Sequence, residues 1–158
     1  MSRDATRNSL LTTSGYETSV VRTAVPAVLV VLGVAWIVVY VLVARDAALF
    51  SSALGGTRPH TSLPWMSDLV RWNYLIGFGL ILLGLAMSAD RLTPLGRGQG
   101  VVVGMLFCFL FGLAWIVVYY FLGTDAGHFA VMDDLQQYNL VVGIGFMAVG
   151  FTFATKWE

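Results

Sequence analysis

Residues 33–40 read Gly33-Val-Ala-Trp36-Ile-Val-Val-Tyr40, and residues 112–119 read Gly112-Leu-Ala-Trp115-Ile-Val-Val-Tyr119. Asp46, Ala47 and Phe50 then recur as Asp125, Ala126 and Phe129 at the same shift of 79. Further on, Met66, Asp68, Leu69, Asn73, Gly77, Gly79 and Gly84 correspond to Met132, Asp134, Leu135, Asn139, Gly143, Gly145 and Gly150 at a shift of 66. The difference of 13 is an insertion within residues 51–65, a Ser/Gly/Pro-containing stretch. Shared apolar composition alone would scatter Val and Leu matches; it would not repeat Trp, Tyr, Asp, Asn and three Gly in register. The chain reads as a tandem duplication.

The duplicated unit is an apolar hairpin. Of the 158 residues, 58% are hydrophobic and 11% charged, with nine Lys and Arg against nine Asp and Glu, whereas soluble domains carry about 25% charged residues. The apolar residues fall in four blocks, at 24–44, 72–89, 100–122 and 138–155. Twenty-one helical residues reach about 31 Å, enough for a hydrocarbon core of about 30 Å, and only a helix satisfies its own backbone in lipid. Pro26 falls near the start of the first block, where a missing N–H costs little. That block is too long for a cleaved signal peptide and is preceded by a polar segment, so it reads as a retained anchor.

The expected fold is therefore an all-α membrane protein of four transmembrane helices, arranged as two parallel-repeated helical hairpins. Its parts are a disordered tail (1–23), a first hairpin (24–90), a linker (91–99) and a second hairpin (100–158). Arg3, Arg7, Arg22, Arg91, Arg97 and Lys156 lie on one side, and Arg45, Arg58 and Arg71 in the first hairpin loop lie on the other. The basic excess puts both termini in the cytoplasm of a multi-pass plasma-membrane protein. Zero net charge argues against nucleic acid, and the single cysteine, Cys108, excludes an intrachain disulfide.

The repeated residues admit two kinds of role. Gly77 and Gly84, like Gly143 and Gly150, lie seven apart on one helical face, where small residues let helix backbones approach. The approach is either between the helices of a hairpin or to a partner protein, and the small faces also allow self-association. Trp36 and Tyr40 share a face, as do Trp115 and Tyr119. The tyrosines suit the headgroup belt. Trp36, about 12 Å inside its span, is either packed with its N–H donated to a carbonyl or a polar neighbour, or part of a recognition stripe. Asp68 and Asp134 are placed to cap the helices after them; Asn73 and Asn139 are placed to hydrogen-bond across helices. Trp65, Trp72, Tyr74 and Trp157 read as interfacial anchors, and His60 and His128 as solvated loop residues. No Asp, Glu, Lys, Arg or His falls in the core of a span, where coupled transporters place one. No catalytic motif, metal-ligand spacing or cofactor fingerprint is present, so an enzyme is not expected. A small transporter or channel-like module for an uncharged solute is the alternative reading.

The repeated unit resembles the CrgA family of actinobacterial septation and cell-division membrane proteins. The resemblance rests on residues 33–40, on Trp72-Asn73-Tyr74 through Gly77 and Gly79, on residues 115–119, on Tyr138-Asn139-Leu140 through Gly143 and Gly145, and on the ending Thr155-Lys156-Trp157. It implies a non-enzymatic scaffold that binds other divisome membrane proteins and septal peptidoglycan synthases to coordinate or restrain septum formation. The chain departs from the family in carrying two fused hairpins and a weakly basic tail, and its first copy lacks the basic-aromatic ending.

Overall fold

The computed structural model describes residues 20–50, 56–57, 59–122 and 129–156. Most of the tail, Asp125, Ala126, His128, Trp157 and part of the inserted loop, including Arg58, lie outside the described residues. All regular structure among those described is helical. Helix α1 (Val20–Val39) continues through a π-helical turn (Tyr40–Ala44) into a short α2 (Arg45–Ala48). A short α3 (Pro64–Leu69) precedes α4 (Trp72–Ser88); α5 (Gln99–Leu122) comes after the linker; a short α6 (Ala130–Leu135) precedes α7 (Tyr138–Ala154). The expected apolar blocks match the four main helices to within a few residues. Two stretches, Arg22–Ala48 and Gln99–Leu122, are long and apolar enough to cross a membrane. Only 22% of the most apolar window of each is buried within the structure. Neither is the core helix of a soluble fold, because the exposed remainder would form an apolar surface far larger than water tolerates. The 17-residue α4 and α7 are equally apolar but shorter, about 26 Å long.

Helix α1 packs along α4, and α5 along α7, and α4 meets α7 where the two pairs join. Each pair closes on glycine. A Cβ on Gly33 would lie 2.6 Å from the Gly77 carbonyl oxygen, and one on Gly77 would lie 2.3 Å from Ile37. In the second pair a Cβ on Gly112 would lie 2.5 Å from the Gly143 oxygen, and one on Gly143 would lie 2.4 Å from Ile116. Gly84 faces the carbonyl of Pro26, and Gly150 faces Phe109 and Cys108. Lipid supplies no hydrophobic drive between helices, so association depends on close packing of this kind.

Two sequence expectations are corrected here. The first helix begins at Val20, so Pro26 lies inside it; α4 offers Gly84 rather than a side chain beside the Pro26 carbonyl, leaving room for the bend that proline imposes. Arg45 belongs to the helix rather than the loop, because the π turn carries the helix on to Ala48. The linker is a compact turn: Thr93 is buried, its hydroxyl donates to the carbonyls of Ser88 and Asp90, and it accepts from the Gly96 amide. Gly96 lies so close to Asp90 that a Cβ would overlap its carbonyl, and Gly98 takes φ +53°, a region open to glycine.

Replacing Gly33 or Gly77 by Val should therefore lower stability by about 1–3 kcal/mol, read as thermal or denaturant unfolding in detergent. Gly79→Ala, at a glycine with nothing within 4 Å of an added Cβ, should be neutral or stabilising by up to about 1 kcal/mol.

Candidate functional site

The junction of the two hairpins is built from Arg45 and Tyr74, which have no like residue in the second copy, and from Asp134, which the repeat pairs with Asp68. The i→i+5 winding of Tyr40–Ala44 adds one residue to a turn and rotates the downstream helix by about 100°. Arg45 is thereby carried toward the second hairpin, where its Nε and Nη2 donate to Oδ2 and Oδ1 of Asp134 at 2.8 and 2.9 Å. The Tyr74 hydroxyl donates to the same Oδ2 at 2.6 Å. Side-chain exposure is 23% for Arg45 and 7% for Asp134, so the carboxylate is nearly withdrawn from solvent with both oxygens occupied. A two-pronged guanidinium contact of this kind fixes geometry as well as charge. Tyr40 lies beside it, 1% exposed, with its ring edge-on to Tyr74 at 5.1 Å.

Asp134 is therefore no helix cap. The cap positions of α4 and α7 are Arg71 and Gln137, and neither makes a side-chain capping bond; Asp68 lies within α3. Tyr40 is likewise no belt residue but part of the core, because it continues the Gly33 and Ile37 face that packs on α4. Tyr119 is half-buried against Tyr120. Asn73 and Asn139 do not bond across helices. The Nδ2 of Asn73 donates to the carbonyls of Met66 (2.8 Å) and Val70 (3.0 Å), and that of Asn139 to Met132 (2.7 Å) and Gln136 (2.8 Å). Each amide thus staples the turn between a short helix and the longer apolar helix after it. Val70 and Gln136 sit in those turns at φ 44° and 47° with ψ −115° and −125°, a conformation that suits glycine. Both asparagines are fully buried, and their Oδ1 atoms have no partner among the described residues.

Among the described residues neither Trp36 nor Trp115 finds an acceptor for its indole N–H. Trp36 packs on Trp65 of α3 (5.7 Å), and Trp115 meets Phe78 of the first hairpin edge-on (5.7 Å) and lies beside Phe111. Of the two readings of Trp36, donation to a carbonyl or polar neighbour is not made among the described residues. Trp65 and Trp72 remain largely exposed, as anchors would be. Thr61 of the inserted loop donates to the Val43 carbonyl at 2.8 Å, tying the loop to the π turn. Gly77, Gly84, Gly143 and Gly150 are all spent inside their own hairpins. The sequence pattern alone did not single out Gly33 and Gly112, although they open the repeated octapeptide. Nor did it reveal the clasp of Arg45, Tyr74 and Asp134, which only the juxtaposition of the two copies assembles.

Between α4 and α7 a cavity of about 420 Å3 opens beside Tyr74, running from Arg71 and Tyr138 to Leu82. It is almost wholly apolar. No group of three or more His, Cys, Asp or Glu able to hold a metal occurs among the described residues.

Two glycine-packed helix pairs, each with one membrane-length apolar helix, define a small, helical, membrane-associated protein. The profile of the family described as cell division protein CrgA matches residues 2–90 and residues 96–158, and the chain belongs to that family. It is 47% identical over 64 residues to the cell division protein CrgA of Streptomyces avermitilis, a match covering 40% of this chain and 71% of that protein. It is 36% identical over 58 residues to that of Corynebacterium glutamicum and 33% identical over 60 residues to that of Mycobacterium leprae. The chain spans about half the length of those two relatives, 47% and 54%. No solved structure gives a significant match. The family places the protein's role in cell division.

Two measurements check the site. Asp134→Asn or Arg45→Met alone should destabilise by more than the about 1 kcal/mol of an exposed pair and up to the about 3–5 kcal/mol of a buried one. The double variant should recover part of that loss in a double-mutant cycle. Separately, Asn73→Ala should cost about 1–3 kcal/mol by removing the side-chain amide that the Met66 and Val70 carbonyls share, whereas Val70→Gly should gain about 1 kcal/mol by relieving φ; unfolding in detergent reads both.

Proposed function

We propose that the protein is a four-span, tandem-duplicated scaffold of the division machinery, with both termini in the cytoplasm. In this reading it binds other divisome membrane proteins, septal peptidoglycan synthases among them, to coordinate or restrain septum formation. The observation that carries the reading is that the cell-division family profile fits both halves, each half being a hairpin closed by the same glycine contacts. The length of α4 and α7, about 26 Å, falls at the short end of what crosses a bilayer. Their N-terminal Trp72 and Tyr138 are exposed, as interfacial anchors are.

The packing moves the partner-binding face away from the glycines. Val103, Phe107, Leu110, Ala114, Val117 and Phe121 form an exposed stripe along α5. Their alternating spacing of four and three keeps one seam facing outward, as a helix that meets another helix requires. Trp36 and Trp115 then act indirectly, by fixing the hairpins that present the stripe.

A photo-crosslinking residue at Leu110 or Val117 in growing cells should capture divisome membrane proteins or septal peptidoglycan synthases, identified by mass spectrometry. The same residue at Val31 on α1 should capture fewer. In a Cys108→Ser background, an impermeant thiol reagent should label a cysteine at Thr61 from outside and not one at Gly98. Absence of any division protein from the crosslinks, or saturable flux of a solute through the reconstituted protein, would overturn the scaffold in favour of a transport module.

A further inference from the structure

Two equivalent glycines of α4 and α7 differ in what lies against them. Above Gly145, the Leu82 side chain comes to 2.9 Å of where a Cβ would stand. Gly79 is the counterpart of Gly145, and at the same shift of 66 the counterpart of Leu82 is Ala148. Nothing lies within 4 Å of a Cβ on Gly79. Beside it opens the cavity of about 420 Å3, which Gly79 and Leu82 line.

Its shape selects among occupants. From Arg71 to Leu82 the α4 wall runs about 16 Å, so the mean cross-section is roughly 25 Å2. A helix about 10 Å across needs roughly 80 Å2, and the whole volume would hold on the order of one helical turn. A single extended hydrocarbon chain fits instead. The mouth selects further. Arg71 lines it, exposed, with no ion pair or hydrogen bond from its guanidinium among the described residues. The nearby Asp134 carboxylate is already held by Arg45. Helices α4 and α7 both begin at this mouth, so the positive ends of two dipoles add to the Arg71 charge. Trp72 and Tyr138 flank the opening, with the amphipathic rings that sit at headgroup level.

We infer that this groove binds one anionic phospholipid, with an acyl chain along Gly79 and Leu82 and its phosphate at Arg71. The site would bridge the two hairpins with a lipid rather than with protein contacts. The inference rests on α4 and α7 lying in the bilayer, as proposed above; the thiol-labelling experiment tests that separately.

Native mass spectrometry of the full chain in mild detergent, titrated with phosphatidylglycerol or phosphatidylcholine, tests the site. One phosphatidylglycerol should persist at collision energies that strip phosphatidylcholine. Arg71→Gln should remove that preference, reducing retained phosphatidylglycerol at least about fivefold. Gly79→Leu, which fills the groove at a position where a side chain has room, should abolish retention of both lipids while leaving the thermal unfolding temperature unchanged or raised. Retention unchanged in Gly79→Leu, or equal retention of the two lipids by the parent chain, overturns the proposal. A Gly79→Leu variant that keeps its lipid but loses its crosslinks to division proteins would assign the groove to a partner helix instead.

Discussion

The contact on which the rest of the structure depends is backbone against backbone, Gly33 on the Gly77 carbonyl and Gly112 on the Gly143 carbonyl. In water, two apolar helices would be driven together by burial whatever their surface relief. In lipid that drive is absent, and a helix pair holds only where its surfaces fit closely enough for dispersion and weak polar contacts to beat those made with acyl chains. Ile37 and Ile116 fill the notches left by Gly77 and Gly143, so each pair is a glycine notch and an isoleucine knob used in both directions. Because these notches are filled within the hairpins, surface recognition must use the faces left outside.

The joining of the hairpins obeys a different rule. Duplication makes two identical units, and any contact between them across a pseudo-twofold arrangement would occur twice. The clasp occurs once: Arg45 and Tyr74 of the first copy hold Asp134 of the second, while their counterparts are Thr124, Leu140 and Asp68. The aromatic contacts have diverged similarly. Trp115 reaches across to Phe78, whereas Trp36 packs on Trp65 of α3, whose counterpart is Val131. Covalent linkage permits such asymmetry, because each half always meets the other and never its own twin. Each copy then needs to retain only one side of an interaction.

That history explains which parts of the molecule were legible in the sequence. Helix positions came directly from four apolar blocks, and the pairing of helices within each unit from the recurrence of Gly, Trp and Asn at matched positions. Periodicity reports what is repeated; it is silent on what occurs once. The clasp, the π turn and the filled or empty space beside Gly145 and Gly79 are all single occurrences, so a repeat-based reading assigns Asp134 to the role expected of its twin. The π turn has no composition signal of its own. Without its rotation Arg45 looks like the first residue of a loop. Asn73 and Asn139 were legible as important but not as staples, because the reversed turn they tie has no glycine to announce it.

Those turns link local strain to the interface. Val70 and Gln136 adopt a backbone geometry that costs a residue with a Cβ on the order of 1–3 kcal/mol, and each is held there by an asparagine that bridges its carbonyl to the end of the preceding short helix. The turn at Gln136 sits two residues after Asp134, and the turn at Val70 one residue before Arg71. Asparagine thus sets where the acceptor of the clasp and the cation at the groove mouth stand relative to α7 and α4. The same strained turn therefore positions one charge for a partner inside the protein and another for a partner outside it. Glycine at either turn would relieve the strain and, with it, loosen the placement of that charge.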